Sequence, residues 1–133
     1  MARLDPDLAD TLDRFIAAQD PVFDTVLAEL RAGAKRTHWM WFIFPQRRGL
    51  GRSAIADFYG LRDADEARAY LAHPVLGPRL LQCVDILLSH DKTAREILGS
   101  PDDLKLCSCL TLFEQVAEDP RPFSVARAKF CGG

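Results

Sequence analysis

Residues 38–44 constrain the fold more than any other part of the chain, because seven large and mostly apolar side chains follow one another there. Such a run suits either a buried strand or a buried helix. A lone strand cannot satisfy its own backbone hydrogen bonds, and the sequence contains no second strand candidate to pair with it. We therefore predict a short buried helix, capped by Thr37 and ended before Pro45.

Helix-start and helix-end signals recur on both sides of this run. Asp5-Pro6 and Asp20-Pro21 each combine an N-cap residue with a proline suited to the first helical position. The first helix should end near Gln19, because the residue before a proline avoids the helical region. Gly33 suits the position just after the second helix, and Ser53 suits the cap of a short helix. Further starts are indicated at Asp63 with Glu66, Pro74, Thr93 with Glu96, Ser100-Pro101, and Pro120 with Pro122.

These signals predict an all-α fold, with seven to nine short-to-medium helices packed around the Trp- and Phe-rich helix. A chain of 133 residues is long enough to bury one core, so we expect a single helical domain over residues 1–133. No apolar run approaches the roughly 20 residues of a membrane-spanning helix. The acidic N-terminal stretch lacks the apolar centre of a secretion signal. We therefore expect a cytoplasmic protein with no membrane partner.

The four cysteines are expected to be free thiols. A chain with a sufficient core and no secretion signal does not need a disulfide framework. Two of the cysteines stand two residues apart in a predicted helix, so their side chains point in different directions and do not form a ligand pair. We predict no metal site and no cofactor. The cysteines are Cys83, Cys107, Cys109 and Cys131.

The charge of the chain is unevenly distributed along the sequence. Residues 30–56 contain six basic residues and no acid, and because the net charge is −2, the rest of the chain carries −8. A nucleic-acid-binding domain is usually basic overall, so no nucleic-acid partner is expected. The basic stretch indicates either a local surface for a small anion or a solvated face without a ligand.

Several blocks of the sequence are specific enough to be compared with a known family. The most specific is His38-Trp39-Met40-Trp41-Phe42-Ile43-Phe44-Pro45-Gln46, which is followed by Gly49-Leu50-Gly51 and Ser53. Others are Ala18-Gln19-Asp20-Pro21, Ala69-Tyr70-Leu71, His73-Pro74 and Thr111-Leu112-Phe113. Together these blocks resemble a bacterial family known as domain of unknown function 1810, sometimes labelled calpastatin-like, over nearly the whole chain. The resemblance implies an all-α fold and implies no particular activity.

Polar residues at the two ends of the aromatic run are candidates for a site. Histidine titrates near neutral pH, so His38 suits a general acid or base, a ligand-holding donor, or a hydrogen bond to a helix end. Gln46 suits either recognition of a planar ligand edge or satisfaction of helix-end carbonyls. The two tryptophans, Trp39 and Trp41, stand two residues apart, so one can pack in the core while the other lines a pocket. Trp41 is the candidate for the pocket.

The segment Gly49-Leu50-Gly51-Arg52-Ser53 suits either an anion-binding loop or a plain turn with a cap. Glycines let a backbone approach an anion closely, and Ser53 opens a helix whose amide end favours negative charge. The segment is not a Walker motif, because no Gly-Lys-Ser/Thr ends it and no strand precedes it. Arg47 and Arg52 would add positive charge. Lys105 follows two acids. It suits a pocket, where it would bind an anion or act as a nucleophile if desolvated, or an ion pair with an acid three residues away.

These observations lead to three hypotheses. The first is a domain that binds a small anionic ligand, such as a nucleotide or a phosphorylated metabolite, beside the aromatic core. The second is an enzyme acting on such a ligand, with His38 as general acid or base. The third is a protein-interaction or scaffold domain with no small-molecule site, which would expose an apolar patch. The ligand-binding residues predicted by the first are His38, Trp41, Gln46, Arg47, Arg52, Ser53 and Lys105.

Overall fold

Nine α-helices account for the fold in this computed structural model, which describes residues 11–51 and 53–132. Within those ranges no β-strand is present, and the one β pairing is an isolated parallel bridge between Arg47 and Leu61. The all-α fold and the number of helices are therefore as predicted, although the start at Asp5-Pro6 lies outside the described residues. The helices are α1 (Asp13–Gln19), α2 (Phe23–Ala32), α3 (Met40–Ile43), α4 (Ala54–Tyr59), α5 (Ala64–Ala72), α6 (Leu76–Leu88), α7 (Ala94–Leu98), α8 (Asp102–Val116) and α9 (Arg121–Phe130).

The helices α6 and α8 form the centre of the molecule. α6 packs against α2, α5 and α9, and α8 packs against α5, α7 and α9. The apolar side chains of α6 recur at helical spacing, so one side of the helix is buried along its whole length. The buried apolar side chains of α6 are Leu76, Leu80, Cys83, Val84 and Leu87, and those of α8 are Leu106, Cys109, Leu110 and Phe113.

Aromatic rings connect this centre to α3. Neighbouring rings have centroid separations of 4.9 to 5.9 Å, a range that allows favourable edge and offset contacts. Trp39 is fully buried, whereas Trp41 is half-buried at the edge of the cluster. The predicted buried helix is therefore confirmed for Met40–Ile43. The ring contacts join Phe58, Tyr59, Phe42, Phe15, Tyr70, Phe113 and Phe123.

The predicted cap of this helix at Thr37 is wrong. α3 begins after Trp39 and has no side-chain cap. The Thr37 hydroxyl instead donates to the carboxylate of Glu29 on α2, at 2.7 Å. The same carboxylate accepts the Trp39 indole N–H at 3.0 Å and the Arg36 backbone N–H at 2.7 Å. A buried tertiary acceptor therefore holds the segment that leads into α3.

Several helix ends lie where the local signals predict them. Ser53 and Asp63 each accept the backbone N–H three residues later, at the starts of α4 and α5. Thr93 and Glu96 form a complete capping box at the start of α7. Gly33 ends α2 with φ of +69°, in the left-handed region that glycine adopts without strain.

Other predicted start signals are used for tertiary contacts instead. Asp20 does not cap α2, and its carboxylate pairs with Arg79 at 2.9 Å. The Glu66 carboxylate is buried and pairs with the equally buried Arg14 at 2.9 Å, instead of completing a capping box at the start of α5. The predicted cap at Ser100 is also wrong, because α8 has no side-chain cap.

The prediction of free cysteines is wrong for Cys107 and Cys131. These residues form a disulfide between α8 and the residue that follows α9, with their Cα atoms 5.8 Å apart. α8 and α9 form an antiparallel hairpin, in which Phe113 stacks on Phe123 at 5.7 Å. The hairpin brings together two cysteines that are 24 residues apart in sequence. The other two are buried free thiols, as predicted, and burial raises the pKa of both: Cys83 and Cys109.

Among the described helices, no single one is long and apolar enough to cross a membrane. The pair α5 and α6 meets those two criteria only when taken together, and the two helices are bent by 86° at their junction.

Candidate functional site

A pocket lies at the edge of the aromatic cluster, and we call it the Trp41 pocket. It encloses about 250 Å³ when the space at its open mouth is included. Its interior is narrow, with room for about one water molecule. α3, α4 and α8 and the segment after α3 contribute its walls. The lining residues are Met40, Trp41, Phe44, Gln46, Ala56, Tyr59, Gly60 and Lys105.

Backbone pairing positions one wall of the Trp41 pocket. The Leu61 N–H donates to the Gln46 carbonyl at 3.0 Å, and the Arg48 N–H donates to the Leu61 carbonyl at 2.7 Å. This bridge holds the segment after α3 against the end of α4. Gly60 permits the close approach, because a Cβ there would lie 2.5 Å from the Arg48 Cα. The position of Gln46 is therefore set by the backbone.

Lys105 supplies the positive charge of the Trp41 pocket. Its ammonium group lies 5.3 Å from the centroid of the Trp41 ring, a distance suited to a cation–π contact. The same ammonium is 3.6 Å from the carboxylate of Asp102, one turn earlier on α8. Asp102 also pairs with Lys35 at 3.0 Å, and Lys35 lies 5.1 Å from the Trp39 ring. One carboxylate is thus shared between two lysines, each of which lies over an indole.

Two further polar groups of the Trp41 pocket remain available for a ligand. Neither the Gln46 amide nor the Tyr59 hydroxyl hydrogen-bonds to another side chain or carbonyl within residues 11–51 and 53–132. In those ranges every fully buried side-chain polar atom has a hydrogen-bond partner. Because these two groups have no such partner there, each must be accessible from the pocket or from solvent. Tyr59 as a residue is only 4% exposed. Burial raises the pKa of Tyr59 and is opposed by the charge of Arg14, so the hydroxyl stays protonated at neutral pH.

The chemistry of these groups suits binding of an anion. The Trp41 pocket offers one ammonium group, one amide, one hydroxyl and the aromatic face of Trp41, and no carboxylate of a described residue lines it. It contains no nucleophile paired with a base. In the part of the chain that the structure describes, no three His, Cys, Asp or Glu side chains are grouped so that they could hold a metal ion.

The other predicted site residues lie elsewhere. His38 is exposed and does not line the Trp41 pocket. Arg47 is exposed and borders two surface depressions along α8. The Ser53 hydroxyl is engaged in capping α4, the simpler of its two predicted roles. Arg52 lies outside the described residues. Among the described site residues, the structure therefore brings together Trp41, Gln46 and Lys105 and leaves His38, Arg47 and Ser53 outside the pocket.

Sequence reasoning missed the contribution of α4 to this site. Tyr59 was not among the predicted site residues, and its ring contacts Phe15, Phe42 and Phe58. Its place in the Trp41 pocket depends on the close approach at Gly60, which no local pattern reveals. The adjacent Tyr-Gly pair at the end of α4 is the one signal that marks this position.

Comparisons with known proteins agree with this fold. The crystal structure of the conserved hypothetical protein Rv1873 from Mycobacterium tuberculosis is similar to this chain, with 50% sequence identity and a TM-score of 0.89. The similarity covers 91% of this chain and 87% of that one. No curated protein matches the chain significantly. The family model described as "Protein of unknown function (DUF1810)" matches residues 9–133. The chain therefore belongs to the DUF1810 family.

Proposed function

We propose that this protein binds a small anionic ligand at the mouth of the Trp41 pocket. The observation that carries the proposal is the convergence of Trp41, Gln46 and Lys105, which come from α3, the segment after it and α8. An ammonium group, an amide and an aromatic face at one concave site form a common arrangement for holding a carboxylate or phosphate group.

The local charge supports an anion as the ligand. Lys35 and Lys105 share the single carboxylate of Asp102, so this group of three side chains carries one excess positive charge. Asp102 and Trp41 hold the Lys105 ammonium in place before a ligand arrives. A group that is already positioned loses less conformational entropy on binding, which raises affinity.

The dimensions of the pocket restrict the ligand. Because the interior has room for about one water molecule, it does not enclose a whole nucleotide. The anionic group would lie at the mouth beside Lys105, and any planar part of the ligand would stack on the outer face of Trp41. Small carboxylates and monophosphates fit this description best. Since His38 does not line the pocket, we propose binding there and not catalysis by His38.

Calorimetric titration of the full chain with inorganic phosphate, acetate and adenosine monophosphate tests the proposal. Lys105→Met removes the charge and keeps most of the side-chain volume, so it should weaken binding by about 10- to 100-fold, the usual worth of a charged hydrogen bond. Gln46→Leu should weaken binding by about tenfold or less. Lys92→Met is the matched control, because Lys92 is exposed and lies outside the pocket.

Two results would overturn the proposal. The first is that none of the three anions binds at concentrations up to about 10 mM, a very weak affinity. The second is that an anion binds but Lys105→Met binds it as tightly as the unaltered protein does. Loss of binding in Lys105→Met alone, with Lys92→Met unchanged, supports the Trp41 pocket as the site.

A further inference from the structure

Three adjoining depressions lie in a row along the outer side of α8, and we call this row the α8 groove. Their volumes, including open space, are about 780, 570 and 960 Å³. The first and second share Arg47, Leu112 and Gln115 as lining residues. The second and third share Arg68 and Val116. The three depressions therefore follow one another from the segment before α4 to the start of α9.

One face of α8 forms the floor of the α8 groove, while the opposite face is buried in the core. The groove residues recur at the spacing of a single helical face, and they span about 14 Å of helix axis. α5 forms one wall, through Ala64, Arg68 and Leu71. Such a groove has the length and shape that would accept a short helical or extended peptide segment. The floor residues are Cys107, Ser108, Thr111, Leu112, Gln115 and Val116.

Apolar side chains mark the length of the α8 groove. Leu50 at one end is 59% exposed and Leu81 at the other is 39% exposed. Between them Leu112 and Val116 are half-buried along the floor. Exposed leucines at both ends of one groove, joined by apolar floor residues, indicate a surface whose burial by a partner would be favourable.

Charges along the α8 groove select the chemistry of the occupant. Arg47 is exposed and makes no ion pair with any described residue. Arg68 has only an exposed pair with Asp65, whose side chain is 91% exposed, and such pairs are weak. Among residues 11–51 and 53–132, no acid lines the groove in the half that holds these two arginines. At the opposite end Glu118 has no partner among the described residues, whereas the Asp119 carboxylate is already bound by an arginine of α9.

We propose that the α8 groove docks an acidic, amphipathic peptide segment of a partner protein. Its carboxylates would pair with Arg47 and Arg68, and its apolar side chains would cover Leu112 and Val116. A basic residue of the segment would face Glu118, which sets the direction in which the segment lies. This interaction surface is separate from the Trp41 pocket, because the two share no lining residue.

Selection from a randomised display library tests the proposal, with peptides of about twelve residues, which span about 18 Å as helices. The enriched peptides should combine two or more acids with apolar residues at helical or alternating spacing. One enriched peptide, labelled with a fluorophore, is then titrated by anisotropy against the full chain and its variants. A scrambled peptide of the same composition serves as the ligand control.

The double variant Arg47→Glu, Arg68→Glu reverses two charges of the α8 groove and should weaken peptide binding by about tenfold or more. Leu50→Glu should weaken it as well. The matched controls are Arg95→Glu, an exposed arginine on α7, and Leu104→Glu, a leucine of α8 that is 64% exposed outside the groove. Thermal melting confirms that each variant is folded.

Three outcomes would overturn this proposal. In the first, no selected peptide binds more tightly than about 100 µM. In the second, the selected peptides carry no excess of acidic residues. In the third, the control variants lose as much peptide binding as the groove variants do. Lys105→Met should bind the peptide normally. Peptide binding can therefore fail or succeed independently of anion binding at the Trp41 pocket.

Discussion

The buried carboxylate of Glu29 predicts a specific dependence of stability on pH. Its Oε1 atom accepts three N–H groups: those of the Arg36 and Thr37 backbone at 2.7 and 3.0 Å, and the Trp39 indole at 3.0 Å. Its Oε2 atom accepts the Thr37 hydroxyl at 2.7 Å. Burial by itself would raise the pKa of Glu29, but these donors outweigh burial and lower the pKa from 4.5 to about 2.

The size of this effect follows from the shift in pKa. Each pKa unit corresponds to about 1.4 kcal/mol, so ionised Glu29 contributes about 3 kcal/mol to the free energy of unfolding at neutral pH. Because the folded pKa lies below the unfolded one, this contribution is complete above about pH 5. It decreases as the pH falls below 4.5 and is lost at about pH 2.

The substitution Glu29→Gln isolates this contribution. Glutamine keeps the volume and one acceptor oxygen, and the Thr37 hydroxyl can rotate to accept the new amide, so chiefly the charge is lost. We expect a loss of about 3 kcal/mol at pH 7 and a difference near zero at about pH 2, where the native carboxyl is protonated. Urea unfolding followed by tryptophan fluorescence, repeated between these pH values, measures the difference. Glu118→Gln, at an exposed residue outside any described ion pair, is the matched control and should change nothing.

A difference between Glu29→Gln and the unaltered protein that stays constant over this pH range would refute the electrostatic argument. Such a result would mean that the variant is destabilised by packing or by local rearrangement. Equal stability of the two proteins at pH 7 would contradict the whole account of Glu29 as the acceptor that holds the segment before α3.

Two other substitutions test the packing of the fold. Arg14→Met leaves the Glu66 carboxylate buried without its main partner and should cost about 3–5 kcal/mol in urea unfolding. Arg14→Met combined with Glu66→Leu should recover only the part of that loss that comes from the unpaired carboxylate, because Arg14 also donates to the carbonyls of Phe58 and Gly60. A cost below about 1 kcal/mol for the single variant would contradict burial of the pair. Gly77→Ala should cost about 2–3 kcal/mol, because the added Cβ would lie 2.1 Å from the Leu71 carbonyl oxygen and would force α6 away from α5. A thermal midpoint equal to that of the unaltered protein would contradict this close approach.

The sequence predicted the helix ends that depend on short-range hydrogen bonds. Ser53 and Thr93 act as predicted because their acceptor oxygens and the backbone N–H groups they bind are three residues apart. Thr37 and Glu66 have the same kinds of side chain and suit the same motifs. Their polar atoms instead bind Glu29, 8 residues from Thr37, and Arg14, 52 residues from Glu66. Both separations exceed the three residues of a cap, and no local rule distinguishes the two outcomes.

The candidate site was predictable to a similar extent. The aromatic run indicated that a pocket would lie at the edge of the core, and Trp41, Gln46 and Lys105 were named from residue type and neighbourhood. The structure places these three around one pocket and leaves His38 outside it. Lys105 lines this pocket and also makes the ion pair with an acid three residues away that was the alternative interpretation.

By itself, the sequence determined the all-α class, the approximate limits of most helices and the burial of the aromatic run. These properties follow from side-chain periodicity and from hydrogen bonds between near neighbours. Only the tertiary structure decided which polar side chains are used as caps, that Cys107 meets Cys131, and that Tyr59 shares a pocket with Lys105. The physical reason is that these contacts join separate helices: the two cysteines are 24 residues apart in sequence and Arg14 and Glu66 are 52 apart, so the contacts depend on how whole helices pack.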